Sequence, residues 1–391
     1  MSLIVKDDDL HELMRQWRRD LHAHPETAFE EHRTSAKVAE LLRSFGLEVV
    51  TGLGKTGVVA TLQGHQASER SIALRADMDA LKLQELNTFA HCSQHQGKMH
   101  ACGHDGHTAM LLGAAKYLSE HREFAGTVVF IFQPAEEGEA GAQAMCDDGL
   151  FTQFNVDAVY GIHNWPGVAE GSFAIHAGPV MASMATFDII ITGKGCHAAM
   201  PHMGVDPIIV AAHLMTAMQS VISRSLNPLE SGVVSITKVH GGEAYNVVPD
   251  SVTLSGTCRT FSSEVCDLLE LRIQQQVNAI AEAFGATAEL DYRRGYPATI
   301  NTPAHAEICA AVAMDLVGTE NVKLDMAPSM GAEDFSFMLQ QKPGAYIWLG
   351  NGADKESKSL HNPYYDFNDN ILALGANFWI SLVYTQLSVN Q

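Results

Sequence analysis

The sequence of 391 residues is poor in positive charge. Its 25 Lys and Arg residues stand against 45 Asp and Glu residues, so the formal net charge is −20. An acidic surface of this kind repels nucleic acid and anionic lipid, and we expect neither as a partner. The sequence also lacks any run of about 18 apolar residues, so no segment is expected to span a membrane. Residues 1–9 end in three aspartates, which argues against a signal peptide.

A disulfide framework is also absent from the pattern. The seven cysteines are scattered and odd in number, which is typical of reduced thiols in a long chain. We therefore expect a cytoplasmic location. Apolar residues make up 46% and charged residues 18%, which excludes a disordered or fibrous chain. Since domains commonly have about 100–200 residues, the length suggests two or three of them.

Most of the chain alternates between helical and strand patterns. Apolar residues at helical spacing predict helices over 10–22, 34–45, 105–118, 304–317 and from 370 onward. Short apolar runs predict strands at 56–62, 71–75, 127–132, 156–162 and 345–349. This alternation predicts an α/β domain with a mostly parallel sheet flanked by helices.

The order of elements changes between residues 183 and 294. Strands are predicted at 186–192, 232–239, 251–260 and 287–292, and helices at 207–221 and 263–284. The resulting order β-α-β-β-α-β is that of a ferredoxin-like unit. The sequence therefore predicts a discontinuous domain of residues 1–182 and 295–391, with residues 183–294 inserted into it.

The richest chemical motif is MHACGHDGHT at residues 99–108, which places Cys102 and His104 among further histidines. Imidazole and thiolate groups are ligands of transition metals. Gly103 allows the backbone to bend between Cys102 and His104. A helix start with surface histidines and a buried thiol is the plainer alternative.

Three further segments carry candidate ligands. Glu136 and Glu137 directly follow the apolar run that ends at Phe132, and His163 ends another apolar run. In α/β sheets, ligands bind at the carboxyl ends of strands. One of two adjacent carboxylates can bind metal while the other takes a proton from water. With His361, these segments supply enough ligands for two divalent ions if one ligand is shared.

The predicted insert has its own candidates. His197 lies in a glycine-rich turn, Asn246 precedes the strand predicted at 251–260, and Arg259 lies near the end of that strand. Arg259 is one of few arginines in an acidic chain, so a carboxylate partner is attractive. An ordinary surface arginine is the alternative.

Taken together, these motifs are similar to those of the dinuclear-metal aminoacylase/carboxypeptidase superfamily. Within it, the chain resembles the branch of hippurate hydrolases, N-acyl-amino-acid amidohydrolases and plant auxin-conjugate hydrolases. The resemblance runs in order along the chain through Arg18–Glu26, Leu74–Leu81, Met99–His107, Phe132–Gly138, His163–Gly167, Gly193–His202, Asn246–Asp250, Gly256–Phe261, Gly331–Ser336 and Leu360–Pro363.

The resemblance implies a metal-dependent hydrolysis of N-acyl-amino acids to a carboxylic acid and a free amino acid. Two divalent ions per subunit are implied, manganese or zinc, with cobalt and nickel as alternatives. Cys102 would bridge them, Glu137 and His361 would complete one ion, and His104 and His163 the other. These implied ligands are Cys102, His104, Glu137, His163 and His361.

The remaining roles also come from the resemblance. Glu136 would act as the general base, and Asp79 would contact the metal ligands without binding an ion itself. His197 would stabilise the oxyanion in the partner subunit's site, and Asn246 and Arg259 would hold the substrate carboxylate. The insert would serve as lid and dimerisation domain, in a homodimer or a tetramer of dimers.

Alternatives stay open at this point. The chain could deacetylate N-acetyl-diaminopimelate, cleave small peptides, or bind metal or peptide without catalysis. Cys102 could also act as a covalent nucleophile with His104 as its base. That mechanism leaves Glu137, His163 and His361 without a role.

Overall fold

The computed structural model describes Val5, residues 9–353 and residues 358–389. The chain divides into two compact units. Unit 1 comprises residues 1–180, 300–327 and 334–391, and unit 2 comprises residues 181–299 and 328–333. In the described residues, no helix combines the length and apolar character that crossing a membrane requires. All seven cysteines are free thiols.

Unit 1 is built on one mixed sheet with helices packed against it. Its helices are α1 (Asp9–Ala23), α2 (His32–Ser44), α3 (His104–Glu120), α4 (Gly141–Asp147), α5 (Leu150–Gln153), α8 (Pro303–Val317), α9 (Ser336–Gln341) and α10 (Leu372–Gln386). Its strands are β1 (Glu48–Leu53), β2 (Gly57–Gln63), β3 (Gln66–Asp77), β4 (Ala125–Gln133), β5 (Ala158–Trp165), β6 (Phe173–Ala174), β15 (Val322–Lys323) and β16 (Gly344–Gly350).

The sheet has the order β1-β2-β4-β3-β5-β16-β6-β15. The central strands β4, β3, β5 and β16 pair in parallel, as do β6 and β15. The pairings of β1 with β2, β2 with β4, and β16 with β6 are antiparallel. The predicted α/β class with a mostly parallel sheet is therefore confirmed, and antiparallel pairing is confined to the flanks.

The core of unit 1 explains the continuous apolar runs. Strand β4 is buried along its whole length except at Thr127, as expected for a strand covered on both faces. Helix α3 is buried on nearly all sides, because α1 and α10 both pack against it. Gly113 of α3 lies so close to Met14 of α1 that a β-carbon would stand 2.1 Å from the Met14 sulfur.

Unit 2 contains the six elements of the predicted βαββαβ pattern. They are β8 (Ser183–Thr192), α6 (Pro207–Ser220), β10 (Gly232–His240), β12 (Ser251–Thr260), α7 (Ser263–Ala283) and β13 (Thr287–Arg294). Short strands β9 (Cys196–His197) and β11 (Val247–Val248) pair with each other, and β7 (Gly178–Met181) and β14 (Thr299–Asn301) lie where the chain passes between units. The antiparallel order β10-β12-β8-β13 is that of a ferredoxin-like sheet.

Helix termini in unit 2 follow the capping rules. The Asp206 side chain accepts the amide hydrogen of Ile208 at the start of α6, and Pro207 occupies the first helical position. Ser262 caps α7 in the same way. Along α7 the buried residues recur at every fourth position, Val265, Leu269, Ile273, Val277 and Ala281. This spacing gives the helix one apolar face, which packs on β12 and β13.

Candidate active site

The carboxyl ends of three adjacent parallel strands gather polar side chains in unit 1. Strand β3 ends at Asp77, and Asp79 follows two residues later. Its neighbour β4 is followed by Glu136 and Glu137, and its other neighbour β5 carries His163 near its end. The edge of the sheet that the sequence analysis selected is therefore the one where these side chains meet.

The start of α3 brings a thiol and an imidazole to the same edge. Gly103 precedes the helix with φ of +93°, a left-handed conformation that glycine adopts without strain. A β-carbon there would lie 2.1 Å from Asn164 Oδ1, so close packing also requires glycine. The bend buries both Cys102 and His104, and Cys102 Sγ lies 3.4 Å from His163 Nε2.

The predicted ligands lie close enough to share ions. Donor atoms of Cys102, Glu137 and His361 lie within 4.8 Å of one another, and so do those of His104, Glu136 and Glu137. His361 Nε2 is 3.3 Å from Glu137 Oε1. The structure thus brings together Glu136 and all five residues that the sequence suggested as ligands.

Backbone carbonyl groups fix the tautomers of two histidines. His104 Nδ1 lies 2.9 Å from the carbonyl oxygen of Asp79, and His163 Nδ1 lies 2.7 Å from that of Asn164. Because a carbonyl oxygen only accepts, each Nδ1 must carry the hydrogen. Each Nε2 is then the nitrogen that faces the cluster, the arrangement found in metal-binding histidines.

The geometry of this site fits divalent cations. His104 Nε2 is buried and has no hydrogen-bond partner among the described residues. Burial, together with the charges of Glu137 and Glu136, raises the pKa of the Cys102 thiol well above its ordinary value. A thiolate at this position therefore needs a cation beside it. The mixture of thiolate, imidazole and carboxylate favours zinc, manganese and similar ions over magnesium.

Asp79 organises the loop that follows β4. Its two carboxylate oxygens accept the amide hydrogens of Glu136 and Glu137, at 3.0 and 2.9 Å. Its backbone carbonyl oxygen accepts the His104 Nδ1 hydrogen. One buried residue thus makes hydrogen bonds to three residues of the cluster.

Sequence reasoning assigned no role to Asp77 and His107. Donor atoms of both lie within 4.8 Å of those of His104 and His163. His107 Nδ1 is 2.6 Å from Asp77 Oδ1, and Arg75 Nη1 donates to Asp77 Oδ2 at 2.7 Å. Burial opposes ionisation of Asp77, but Arg75, His104 and His107 outweigh it and hold its pKa well below the ordinary value. The sequence feature that could have marked Asp77 as a site residue is its position at the end of a buried strand.

The three candidate residues of unit 2, His197, Asn246 and Arg259, lie in two different places. Strands β9 and β11 continue the pairing of β8 and β12 beyond Ser251, so His197 is paired with Val247. The Ala198 amide donates to the carbonyl oxygen of Asn246 at 3.0 Å, which places Asn246 beside His197. Both line a cavity of about 320 Å³.

Arg259 lies near the other end of β12. Eight residues separate it from Ser251, which corresponds to about 27 Å of extended strand. It is half-buried, and its Nη1 donates to the side chain of Thr257 and to the carbonyl oxygen of Cys258. The structure therefore does not bring Arg259 and Asn246 of one chain to a common carboxylate.

Comparison with known proteins identifies the family. The model of peptidase family M20/M25/M40 matches residues 73–385. An IAA-amino acid hydrolase (ILR1-like 4) of Arabidopsis thaliana is 41% identical over 387 residues, covering 97% of this chain and 87% of the relative. The hippurate hydrolase of Campylobacter jejuni is 40% identical over 382 residues, covering 98% of each chain.

A solved structure supports the same assignment. The Bacillus subtilis YXEP protein, described as a dinuclear metal-binding peptidase of the M20 family, superposes with a TM-score of 0.85 at 33% identity. The match covers 97% of this chain and 99% of that protein. The chain therefore belongs to peptidase family M20/M25/M40.

Proposed function

We propose that this protein is a metal-dependent amidohydrolase that cleaves N-acyl-amino acids to a carboxylic acid and a free amino acid. The observation that carries the proposal is the convergence of Cys102, His104, Glu137, His163 and His361 around Glu136 at one edge of the sheet. Relatives that match nearly the whole chain hydrolyse hippurate and IAA-amino acid conjugates, according to their names, and both substrates are N-acyl-amino acids.

Two divalent ions are the proposed cofactors, manganese or zinc, with cobalt and nickel as alternatives. Cys102 would lie between them, Glu137 and His361 would hold one, and His104 and His163 the other. When bound, such ions lower the pKa of water and stabilise negative charge on a carbonyl oxygen. The Nε2 atoms of His104 and His163 and the buried thiol are the groups that this chain offers to these ions.

Glu136 is the proposed general base. Its amide is anchored to Asp79, and its carboxylate lies within 4.8 Å of donor atoms of His104 and Glu137. From this position it can take a proton from the attacking water and return it to the leaving amine. The adjacent Glu137 faces His361, so the two carboxylates have different partners and can perform different tasks.

Unit 2 is the proposed lid and dimerisation domain. His197 would stabilise the developing oxyanion, and Asn246 and Arg259 would bind the substrate carboxylate. Since Asn246 lies beside His197 while Arg259 lies about 27 Å along β12, these contacts require two copies of the chain. One copy would supply His197 and Asn246, and the other would supply Arg259.

A covalent mechanism through Cys102 has less support. Its sulfur contacts His163 and Glu137 rather than His104, and His104 Nδ1 is engaged by the Asp79 carbonyl. Burial and neighbouring carboxylates raise the pKa of the thiol, which disfavours the nucleophilic thiolate. A metal-independent hydrolase would also leave Glu137 and His361 without a role.

The test is hydrolysis of hippurate and N-acetyl-methionine by the purified, reduced protein. Activity is measured as isolated, after removal of metal with a chelator, and after addition of manganese or zinc. We expect activity to disappear with the chelator and to return with one of the ions. Full activity in stripped protein would overturn the metal mechanism, while two bound ions without hydrolysis of any N-acyl-amino acid would overturn the substrate class.

A further inference from the structure

Three consecutive backbone amides in the loop after β4 donate to two buried carboxylates. The amides of Glu136 and Glu137 bind the two oxygens of Asp79. The amide of Ala135 donates to Glu31 Oε1 at 2.9 Å. Glu31 is fully buried and comes from the segment just before α2, more than 100 residues earlier in the chain.

Ala135 has an unusual backbone conformation. Its φ is +56°, in the left-handed region that residues with a β-carbon seldom occupy. For such a residue this region is disfavoured by roughly 5- to 30-fold in population, so surrounding contacts must hold it. The described contacts of the Ala135 backbone are the Glu31 carboxyl on its amide and the Gly141 amide on its carbonyl oxygen, at 3.0 Å.

Glu31 is itself held in place. Its second oxygen, Oε2, accepts the Thr56 hydroxyl hydrogen at 2.6 Å, in the turn between β1 and β2. Burial, together with the charge of Asp79, raises the pKa of Glu31 to about 7 despite the Thr56 hydrogen bond. In either protonation state one oxygen remains available to accept from Ala135, and a glutamine could replace it at this point.

We infer that Glu31 is a positioning residue, which holds Ala135 in its left-handed conformation and thereby aims Glu136 and Glu137 into the metal cluster. The inference rests on the proposed function for its catalytic consequence. The hydrogen bond from the Ala135 amide to Glu31, called the clamp below, is a property of the fold and can be measured without metal or substrate.

The first measurement is amide hydrogen exchange in metal-free protein, followed by mass spectrometry of a peptide that spans residues 134–140. Glu31→Ala removes the acceptor, Glu31→Gln keeps it, and Glu26→Ala is the matched control. Glu26 also accepts two backbone amides, those of Arg33 and Thr34, but it does not contact the loop. We expect roughly 5- to 30-fold faster exchange in Glu31→Ala, because a conformation disfavoured by that factor loses its support, and unchanged exchange in the other two variants.

The second measurement is steady-state hydrolysis of hippurate or N-acetyl-methionine by metal-loaded protein. Since a displacement of about 1 Å can cost about 100-fold in rate, we expect kcat of Glu31→Ala to fall by about 10- to 100-fold. KM should change little, and Glu31→Gln should restore most of kcat. A variant that only lost stability would show a lower melting temperature with normal kcat.

The outcomes separate the two proposals. Unchanged exchange in Glu31→Ala overturns the clamp, and faster exchange with unchanged kcat in an active enzyme overturns the positioning role. If the wild-type protein hydrolyses no N-acyl-amino acid, the proposed function fails, and the exchange comparison still decides whether Glu31 holds the loop.

Discussion

The buried imidazole of His22 should make the stability of unit 1 depend on pH. His22 lies in α1 and is fully buried, with Nδ1 2.8 Å from Asp105 Oδ2 and Nε2 3.2 Å from Glu85 Oε1. Both partners are carboxylates, which only accept when ionised, so both ring nitrogens carry hydrogen. Burial opposes this charge, but Asp105 and Glu85 outweigh it and raise the pKa of His22 to about 9.

The size of the His22 contribution to stability follows from the thermodynamic linkage between proton binding and folding. The difference between the ordinary pKa of 6.5 and about 9 corresponds to about 3 kcal/mol of folding free energy, since one pH unit is worth about 1.4 kcal/mol. Because the pKa is raised in the folded state, this stabilisation is fully present below about pH 6.5. It is lost progressively as the pH rises from about 6.5 to about 9.

The test compares wild type with His22→Phe in chelator-treated protein. Urea unfolding is followed between about pH 6 and about pH 10 by tryptophan fluorescence, which reports unit 1 because Trp17, Trp165, Trp348 and Trp379 all lie in it. The variant should be less stable at the acidic end, and the difference in free energy of unfolding should shrink by about 3 kcal/mol at the alkaline end.

The control is His32→Phe, which makes the same substitution at an exposed position of α2. Parallel curves for wild type and His22→Phe would refute the charged state assigned to His22. If the difference in free energy of unfolding between wild type and His22→Phe grew with pH, the upward direction of the His22 pKa shift would be wrong.

Three further outcomes are expected. Glu136→Gln should lower kcat by about 100- to 10,000-fold, the range of general acid–base catalysis, while elemental analysis shows unchanged metal content; normal turnover would reject Glu136 as the base. Cys102→Ala should lose bound metal as well as activity, and a metal-loaded, inactive variant would show that its role is not ligation. Arg259→Met should raise KM for hippurate far more than it lowers kcat, whereas an unchanged KM would remove Arg259 from the substrate site.

The sequence predicted the site best where chemistry follows an apolar run. Glu136, Glu137 and His163 stand after or within strands buried on both faces, and such runs are recognisable without a structure. The ends of neighbouring parallel strands necessarily meet at one edge. This rule is enough to predict that the segments carrying Glu136, Glu137 and His163 lie close together.

Residues that act through long-range contacts escaped prediction. Glu31 reaches Ala135 across more than 100 residues, and the left-handed φ of Ala135 has no signature because the residue is not glycine. Strand β1 was also missed, since its largely exposed residues give no apolar run. The two-residue strands β6 and β15 are too short for any periodicity. Strand β6 pairs with the edge of β16, and β15 pairs in turn with β6.

The position of Arg259 on β12 bears on the proposed two-chain site. The resemblance implied that Asn246 and Arg259 bind one carboxylate, but β12 runs unbroken from Ser251 to Arg259 in full pairing with β8. A straight strand cannot return to its start, so one chain cannot present both residues to one substrate.

The consequence is testable by mixing two inactive variants. Glu136→Gln keeps His197, and His197→Ala keeps Glu136, so a mixed dimer contains one complete site if His197 acts in the partner's site. Random exchange at equal amounts makes half of the dimers mixed, and half of their sites are complete. In a dimer with two-fold symmetry, about a quarter of wild-type activity should therefore return. If each site is completed within its own chain, every site in the mixture carries one lesion and no activity returns.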